Sequence, residues 1–255
     1  PMSLIDSPLY YFALAKTAPD EGYLYVKMHH IVSDGVSFIV LANEIMEDYD
    51  RLLCGEEPIR RSPVSYLEYV EEERRYMESK RCAYNEAYWL KRFSDFPEAT
   101  LLKPRTTDYF STKAKRKAYV LSADLSAAVR RFCSEQRVSV FTLLLATFSV
   151  YLNRVLGKDD LVVSAPVSNR TFAGSSERFG MYVSTVPIRV TVDNEQTFLE
   201  FAEGISNEWF LVLKHQRYPY DLLMRKLHEK RDDITQLFDI SLSYQVGTFE
   251  LSKRF

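Results

Sequence analysis

The sequence predicts an α+β protein of two lobes, each a mixed β-sheet flanked by helices. Three observations carry that expectation. Strand-like runs meet as a hairpin near the start, at Leu9–Leu14 and Tyr23–Met28. Strand and helix patterns alternate again after Lys113. Between the two lies a polar helical stretch interrupted by Pro97 and Pro104, the composition expected where lobes join. The lobes are therefore expected as residues 1–95 and 96–255. At 255 residues the chain can bury the core that either one large domain or two lobes require.

Taken in order, Thr17-Ala18-Pro19-Asp20-Glu21-Gly22 is rich in turn formers and closes the hairpin. After Gly35 the residues Phe38, Leu41, Ala42, Ile45, Met46, Tyr49, Leu52 and Leu53 recur at helical spacing, and Gly55 stops the run. Ser62-Pro63 is a helix start with proline at the first helical position, and a tyrosine-rich helix follows. More helix runs from Tyr84 to Phe93. Lys115–Leu121 has the pattern of a strand, and Ser122 caps an amphipathic helix. Ser139 opens a helix, Phe141–Leu156, that is apolar nearly all round and so expected to be buried. Leu161–Val167 and Tyr182–Val192 read as strands, with Pro187 pointing to an edge or bulge. Thr197 and Glu200 make a capping box for a helix reaching Lys214. A turn, the helix Asp221–Lys230 and a strand Phe238–Gln245 complete the pattern.

Composition narrows the function. A net charge of −2 argues against a nucleic-acid partner. No apolar run approaches the roughly 20 residues that span a bilayer, so no membrane segment is expected. Cys54, Cys82 and Cys133 are widely spaced and form no CxxC pair, which points to reduced cysteines, a cytoplasmic setting and no zinc site. The chain opens at Pro1 in text that already approaches a strand, as a piece of something longer would.

The densest chemistry is His29-His30-Ile31-Val32-Ser33-Asp34-Gly35, where the second strand gives way to a helix. Neighbouring strand residues point to opposite faces. His30 then shares a face with Leu24, Val26 and Met28, which favours it for the buried side, while His29 goes with Tyr23, Tyr25 and Lys27. Adjacent strand histidines point apart and make a poor pair of metal ligands. A nucleophile elbow such as GxSxG is absent from the sequence. His30 could also be a satisfied core histidine and Asp34 a helix N-cap. What remains is a histidine that handles a proton or orients an amine beside a helix N-terminus, whose free N–H groups favour developing negative charge.

The string MHHIVSDGVSF resembles the HHxxxDG signature of nonribosomal peptide synthetase condensation domains, relatives of chloramphenicol acetyltransferase. Further stretches match in order. Tyr66–Val70 resembles YxDYA and is followed by Tyr88-Trp89; Phe179–Arg189 resembles IGxFVNTxxxR; His215–Asp221 resembles HQxxPFE; Phe238–Gln245 resembles FDxxFxxQ. Ser184 stands where the family usually has Asn, and Val36 where Trp is common. The family's opening motifs are absent and its domains run past Phe255, so the resemblance implies a domain cut at both ends.

The resemblance implies a V-shaped pair of acetyltransferase-like lobes with a tunnel between them. The implied reaction joins a donor acyl or peptidyl thioester to an acceptor aminoacyl thioester through an amide bond. Both substrates ride on 4′-phosphopantetheine arms of upstream and downstream carrier proteins, beside an adenylation domain, with no cofactor held by the chain itself. His30 is expected to be catalytic and the Gly35 N–H to hold the oxyanion. Asp34 is expected to pair with Arg170 across the lobes, and His29 to pack at the strand end. Ser184, Gln216 and Tyr218 are expected near the tunnel, and His228 on the surface. Two other implied readings are a non-catalytic module that recruits partners, and an ester-forming acyltransferase or epimerisation domain.

Overall fold

A computed structural model describes residues 2–61, 65–102, 114–172 and 174–246. They form two compact units. The first holds the residues up to Ser79 together with the segment Ser168–Val183; the second holds Lys80–Val167 and Ser184–Gln245. The units thus cut the chain elsewhere than at the expected 95/96 junction.

In the first unit, β1 (Tyr10–Ala18) and β2 (Glu21–Met28) form the expected antiparallel hairpin, Tyr10 opposite Met28, with an irregularity between Lys16 and Ala18. Apolar side chains on both of its faces, among them Tyr11, Phe12, Leu14, Leu24 and Tyr25, are exposed. Helix α1 (Gly35–Leu53) begins at an Asp34 N-cap, because that carboxylate accepts the Ser37 N–H; Gly55 lies just past its end with φ +76°. Helix α2 (Tyr66–Met77) is capped by Ser65, whose hydroxyl accepts the Leu67 N–H. The expected start at Ser62-Pro63 lies outside the described residues.

The second unit contains α3 (Lys80–Arg92), α4 (Ala123–Gln136), α5 (Val140–Leu156), β3 (Asp160–Val167), β4 (Ser184–Thr191), α6 (Phe198–Lys214) and α7 (Tyr220–Lys230). Ser122, Ser139 and Thr197 cap α4, α5 and α6 as the sequence predicts, Thr197 in a reciprocal box with Glu200. Five consecutive residues of β3, Leu161–Ala165, are buried, the mark of a strand covered on both faces. They meet Val186 and Ile188 of β4 and a core that includes Trp89, Leu145, Leu152, Ala202 and Leu223. Helix α5 is less enclosed than its composition suggests, since Leu144, Tyr151 and Val155 face solvent.

Pro187 sits opposite Ser164 in the antiparallel β3–β4 pair. The Ser164 N–H donates to Ile240 O and its carbonyl accepts the Leu242 N–H, so both groups turn away from β4. The Ser164–Pro187 pair is therefore a non-hydrogen-bonded one, and the missing proline N–H costs the ladder nothing. The same contacts explain why Phe238–Gln245 is not a full strand. Among the described residues it makes two isolated parallel bridges, Ser241 with Ser164 of β3 and Phe238 with Thr100, which lies outside the sheet. The expected strand Lys115–Leu121 is also absent: these residues are exposed and pair with no strand among the described residues. Alternation alone cannot supply the partner that a ladder needs.

Candidate functional site

The strand β2 ends at Met28, and the two histidines lie beyond it. The Val32 N–H donates to His29 O at 3.1 Å, closing a turn that breaks the two-residue alternation. This corrects the expected facing. His30 is exposed in the turn, and His29 is the half-buried ring, its Nδ1 accepting the Ile31 N–H at 3.1 Å. His29 is thus built into the turn, while the His30 imidazole is open to solvent.

Behind the turn, Asp34 is 3% exposed and is surrounded by donors. Its Oδ1 accepts the Ser37 N–H at 2.9 Å and Arg170 Nη2 at 2.9 Å, and its Oδ2 accepts the Tyr182 N–H at 3.1 Å. Burial by itself would raise the carboxyl's pKa. The bonds from the Ser37 N–H, Arg170, the Ser37 hydroxyl and the Tyr182 N–H outweigh it and hold the group below the usual carboxylate range. Asp34 is therefore both the helix N-cap and one half of a buried ion pair.

Arg170 is the expected partner, and both residues of the pair fall in the first compact unit. The segment Ser168–Val183 leaves the end of β3 and returns at the start of β4. Meanwhile it packs with α1 and α2. Arg170 also donates to the carbonyls of Ser175 and Arg178, which fastens the segment's own turn, and its guanidinium lies 4.1 Å from the centre of the Tyr182 ring.

Sequence reasoning did not single out Ser37 or Gly180. Ser37 is wholly buried at the third position of α1, where its Oγ lies 2.7 Å from Gly180 O and 3.0 Å from Gly180 N. From α2 the Tyr66 hydroxyl donates to Met181 O at 2.6 Å, and its ring covers Gly180. A Cβ on Gly180 would stand 2.4 Å from that ring, and Gly180 has φ +153°, so glycine is required there twice over. Gly35 is the opposite case. It is exposed, and a Cβ there would meet no atom within 4 Å.

The remaining expected residues stand in the second unit. Ser184 opens β4 and is half-buried. Gln216 donates from Nε2 to Leu213 O at 2.8 Å, which makes it part of the turn after α6. Tyr218 is 3% exposed and donates to Glu86 Oε2 at 2.9 Å. Both side chains are thus bonded within the second unit. Next to them His215, buried, stacks on Tyr88 at 3.9 Å and points Nδ1 at Asn85 Oδ1 from 2.9 Å. His228 is exposed, as expected.

A cavity of about 640 Å³ in the first unit runs along Met28, Ile31 and Val32, on either side of the histidine pair, to Phe179 and Met181. Its lining carries no charged side chain.

Comparison with known proteins fits this geometry. Residues 1–254 match the family model described as condensation domain. A plipastatin synthase polypeptide of Bacillus subtilis (strain 168) is 36% identical over 247 residues, covering 96% of this chain and 10% of that protein. Surfactin synthase subunit 1 of the same organism is 36% identical over 246 residues, covering 96% and 7%. Among solved structures, the first condensation domain of the CDA synthetase superposes with a TM-score of 0.81 at 25% identity. It is covered to 53% by 95% of this chain, so the chain spans about half of that domain and a tenth or less of those two synthetases. The HHxxxDG turn, its buried aspartate and the end-to-end family match together show that this chain belongs to the condensation domains of nonribosomal peptide synthetases.

Proposed function

We propose that the chain takes part in amide-bond formation between a donor acyl or peptidyl thioester and an acceptor aminoacyl thioester. The observation that carries this reading is an exposed imidazole, His30, followed five residues later by an exposed glycine at a helix start. Between them Asp34, buried, caps the helix and is committed to its pair with Arg170.

The acceptor's neutral amine attacks the donor carbonyl carbon. His30 accepts the amine proton as the C–N bond forms. The tetrahedral oxyanion lies against the Gly35 N–H, at the positive end of the α1 dipole. Collapse of the intermediate breaks the C–S bond, and the thiolate of the donor arm takes a proton from His30. Holding both thioesters in place can supply roughly 7–11 kcal/mol of the barrier lowering. The proton acceptor adds about 10²–10⁴-fold. Among the described residues nothing requires a glycine at position 35, since its φ is ordinary and its surroundings are open. A side chain there would instead stand where the substrate carbonyl approaches.

The 4′-phosphopantetheine arms belong to the substrates, delivered by upstream and downstream carrier proteins next to an adenylation domain. His29 braces the turn, Asp34 caps the helix that follows and Arg170 pairs with Asp34; none of the three is assigned a contact with the reacting atoms.

The test is a condensation assay on the full polypeptide that carries this chain, with loaded donor and acceptor carriers and products weighed by mass spectrometry. The parent is expected to yield the amide, and His30→Ala to lose at least about a hundredfold in rate with its melting temperature unchanged. A His30→Ala protein that condenses at the parent rate overturns the catalytic assignment. Unchanged donor and acceptor masses with the parent would favour a recruitment module.

A further inference from the structure

The capping box at the start of α1 divides its free N–H groups in two. The Asp34 N–H faces Ser37 Oγ at 3.3 Å and the Ser37 N–H is taken by Asp34 Oδ1 at 2.9 Å. The first backbone bond of the helix is Phe38 N–H to Asp34 O. That leaves Gly35 and Val36 as the donors with no intrahelical acceptor. Whether they face a reacting carbonyl depends on the direction of the helix start, and a box internal to the helix cannot fix that direction.

Ser37 can. Its hydroxyl carries one hydrogen and has two acceptors in reach, Gly180 O at 2.7 Å and Asp34 Oδ1 at 2.9 Å. Its lone pairs also face the Gly180 N–H at 3.0 Å and Arg170 Nη2 at 3.3 Å. From the other side, Tyr66 holds the next carbonyl, that of Met181, and Asp34 Oδ2 holds the Tyr182 N–H. The backbone from Gly180 to Tyr182 is therefore gripped residue by residue by side chains of α1, α2 and the cap, as a neighbouring strand would grip it. The grip reads backbone, and the one side chain it cannot accept is any at Gly180.

We propose that Ser37 and Tyr66 are positioning residues for the amide-forming step: by clasping Gly180–Met181 they fix the direction in which α1 presents Gly35 and Val36. The inference rests on the reading of His30 and Gly35 given above. It separates two tasks that the ion pair alone would otherwise combine. Asp34 and Arg170 keep the unit folded, whereas the Ser37 hydroxyl aims the helix start.

The test compares Ser37→Ala, Ser37→Thr, Tyr66→Phe and His30→Ala in the full polypeptide with loaded carriers. A misplacement near 1 Å costs up to about a hundredfold in rate. Ser37→Ala and Tyr66→Phe are each expected to lower kcat by about ten- to a hundredfold while KM for the acceptor carrier moves less than about twofold, with Ser37→Thr restoring most of the loss. A role in folding alone would lower the amount of active enzyme and leave kcat per folded molecule at the parent value. That result for both Ser37→Ala and Tyr66→Phe, alongside an inactive His30→Ala, overturns the inference and spares the reading of the site. Full activity in His30→Ala overturns the reading itself. Should Ser37→Ala fail to fold, Tyr66→Phe decides alone, because it removes only the hydroxyl of a residue that is 37% exposed.

Discussion

Arg170 and Arg189 each gather separate stretches of chain, and they differ in where their acids stand. Arg170 and Asp34 are both withdrawn from water, their side chains 4% and 3% exposed. Arg189, in β4, is itself 10% exposed, but its partners Asp95 and Asp160 are 64% and 39% exposed. Counted by bonds, Arg189 is the better satisfied: it meets Asp95 through two nitrogens at 2.6 and 2.7 Å, reaches Asp160 as well, and donates to Arg92 O at 3.0 Å. Yet the number of bonds does not decide what each cluster is worth. What decides it is the state of the survivor when one partner is lost. An abandoned Arg170 would stay in a dry site, whereas an abandoned Arg189 keeps a second acid and lies near water.

The largest expected effect follows directly. Asp34→Ala removes a cap, an ion pair and the acceptor of the Tyr182 N–H at once, and strands the Arg170 charge. Breaking a buried pair from one side costs about 3–5 kcal/mol, so thermal unfolding should show a drop of at least about 6 °C and a poor soluble yield. Equal melting temperatures for the variant and the parent would erase the contrast between the two arginines. Acid gives the same sign. Because Asp34 titrates below the ordinary carboxylate range when folded, its contribution is complete at neutral pH and is lost only as pH falls below the unfolded value of 3.8.

Much of this is legible in the residues alone. The caps Ser122, Ser139 and Thr197 announce themselves because capping is a local event, a side chain bonding to an N–H two or three residues on. The hairpin is legible for a similar reason, its turn chemistry lying between its strands. The Asp34–Arg170 pair comes only through family resemblance, since 136 residues separate the two and no local pattern links them. The facing of His30 misleads because strand alternation, carried two residues past Met28, runs into a turn that the sequence does not mark. The contact of Ser37 with Gly180 stays hidden because it is made to backbone atoms 143 residues away, which leave no trace in residue identity. The one signal available is the glycine itself, in a run of bulky residues from Phe179 to Val183.

A middle-sized effect sets the two units apart by pH. His215 is enclosed by Tyr88, Tyr84 and Asn85, with Lys214 and Arg81 nearby. Burial first, then those two cations, lower its pKa below the usual 6.5. A group whose folded pKa is depressed contributes stability above its unfolded pKa and forfeits it as pH falls through the folded one. The second unit should therefore weaken below about pH 6.5, by at most about 1.4 kcal/mol per pH unit, while the Asp34 cluster is still intact. In urea titrations between pH 7.5 and 5, the parent should lose stability that His215→Gln does not. Parallel pH dependences would show that the buried imidazole takes up its proton as easily folded as unfolded.

The smallest expected effect sharpens the contrast from its other side. Asp95→Ala deletes two short bonds to Arg189, more than Asp34→Ala deletes from Arg170, and a ledger kept by counting would rank it as the graver loss. But an acid that is 64% exposed was solvated before it paired, and its partner retains Asp160 and the Arg92 carbonyl. Exposed pairs are typically worth up to about 1 kcal/mol and are screened by salt. The Asp95→Ala protein should thus melt within a few degrees of the parent, and raising the salt concentration should narrow even that gap. A loss as large as that of Asp34→Ala would mean that Arg189 needs both acids to remain charged and buried, and that solvent access to one partner does not protect a cluster of this kind.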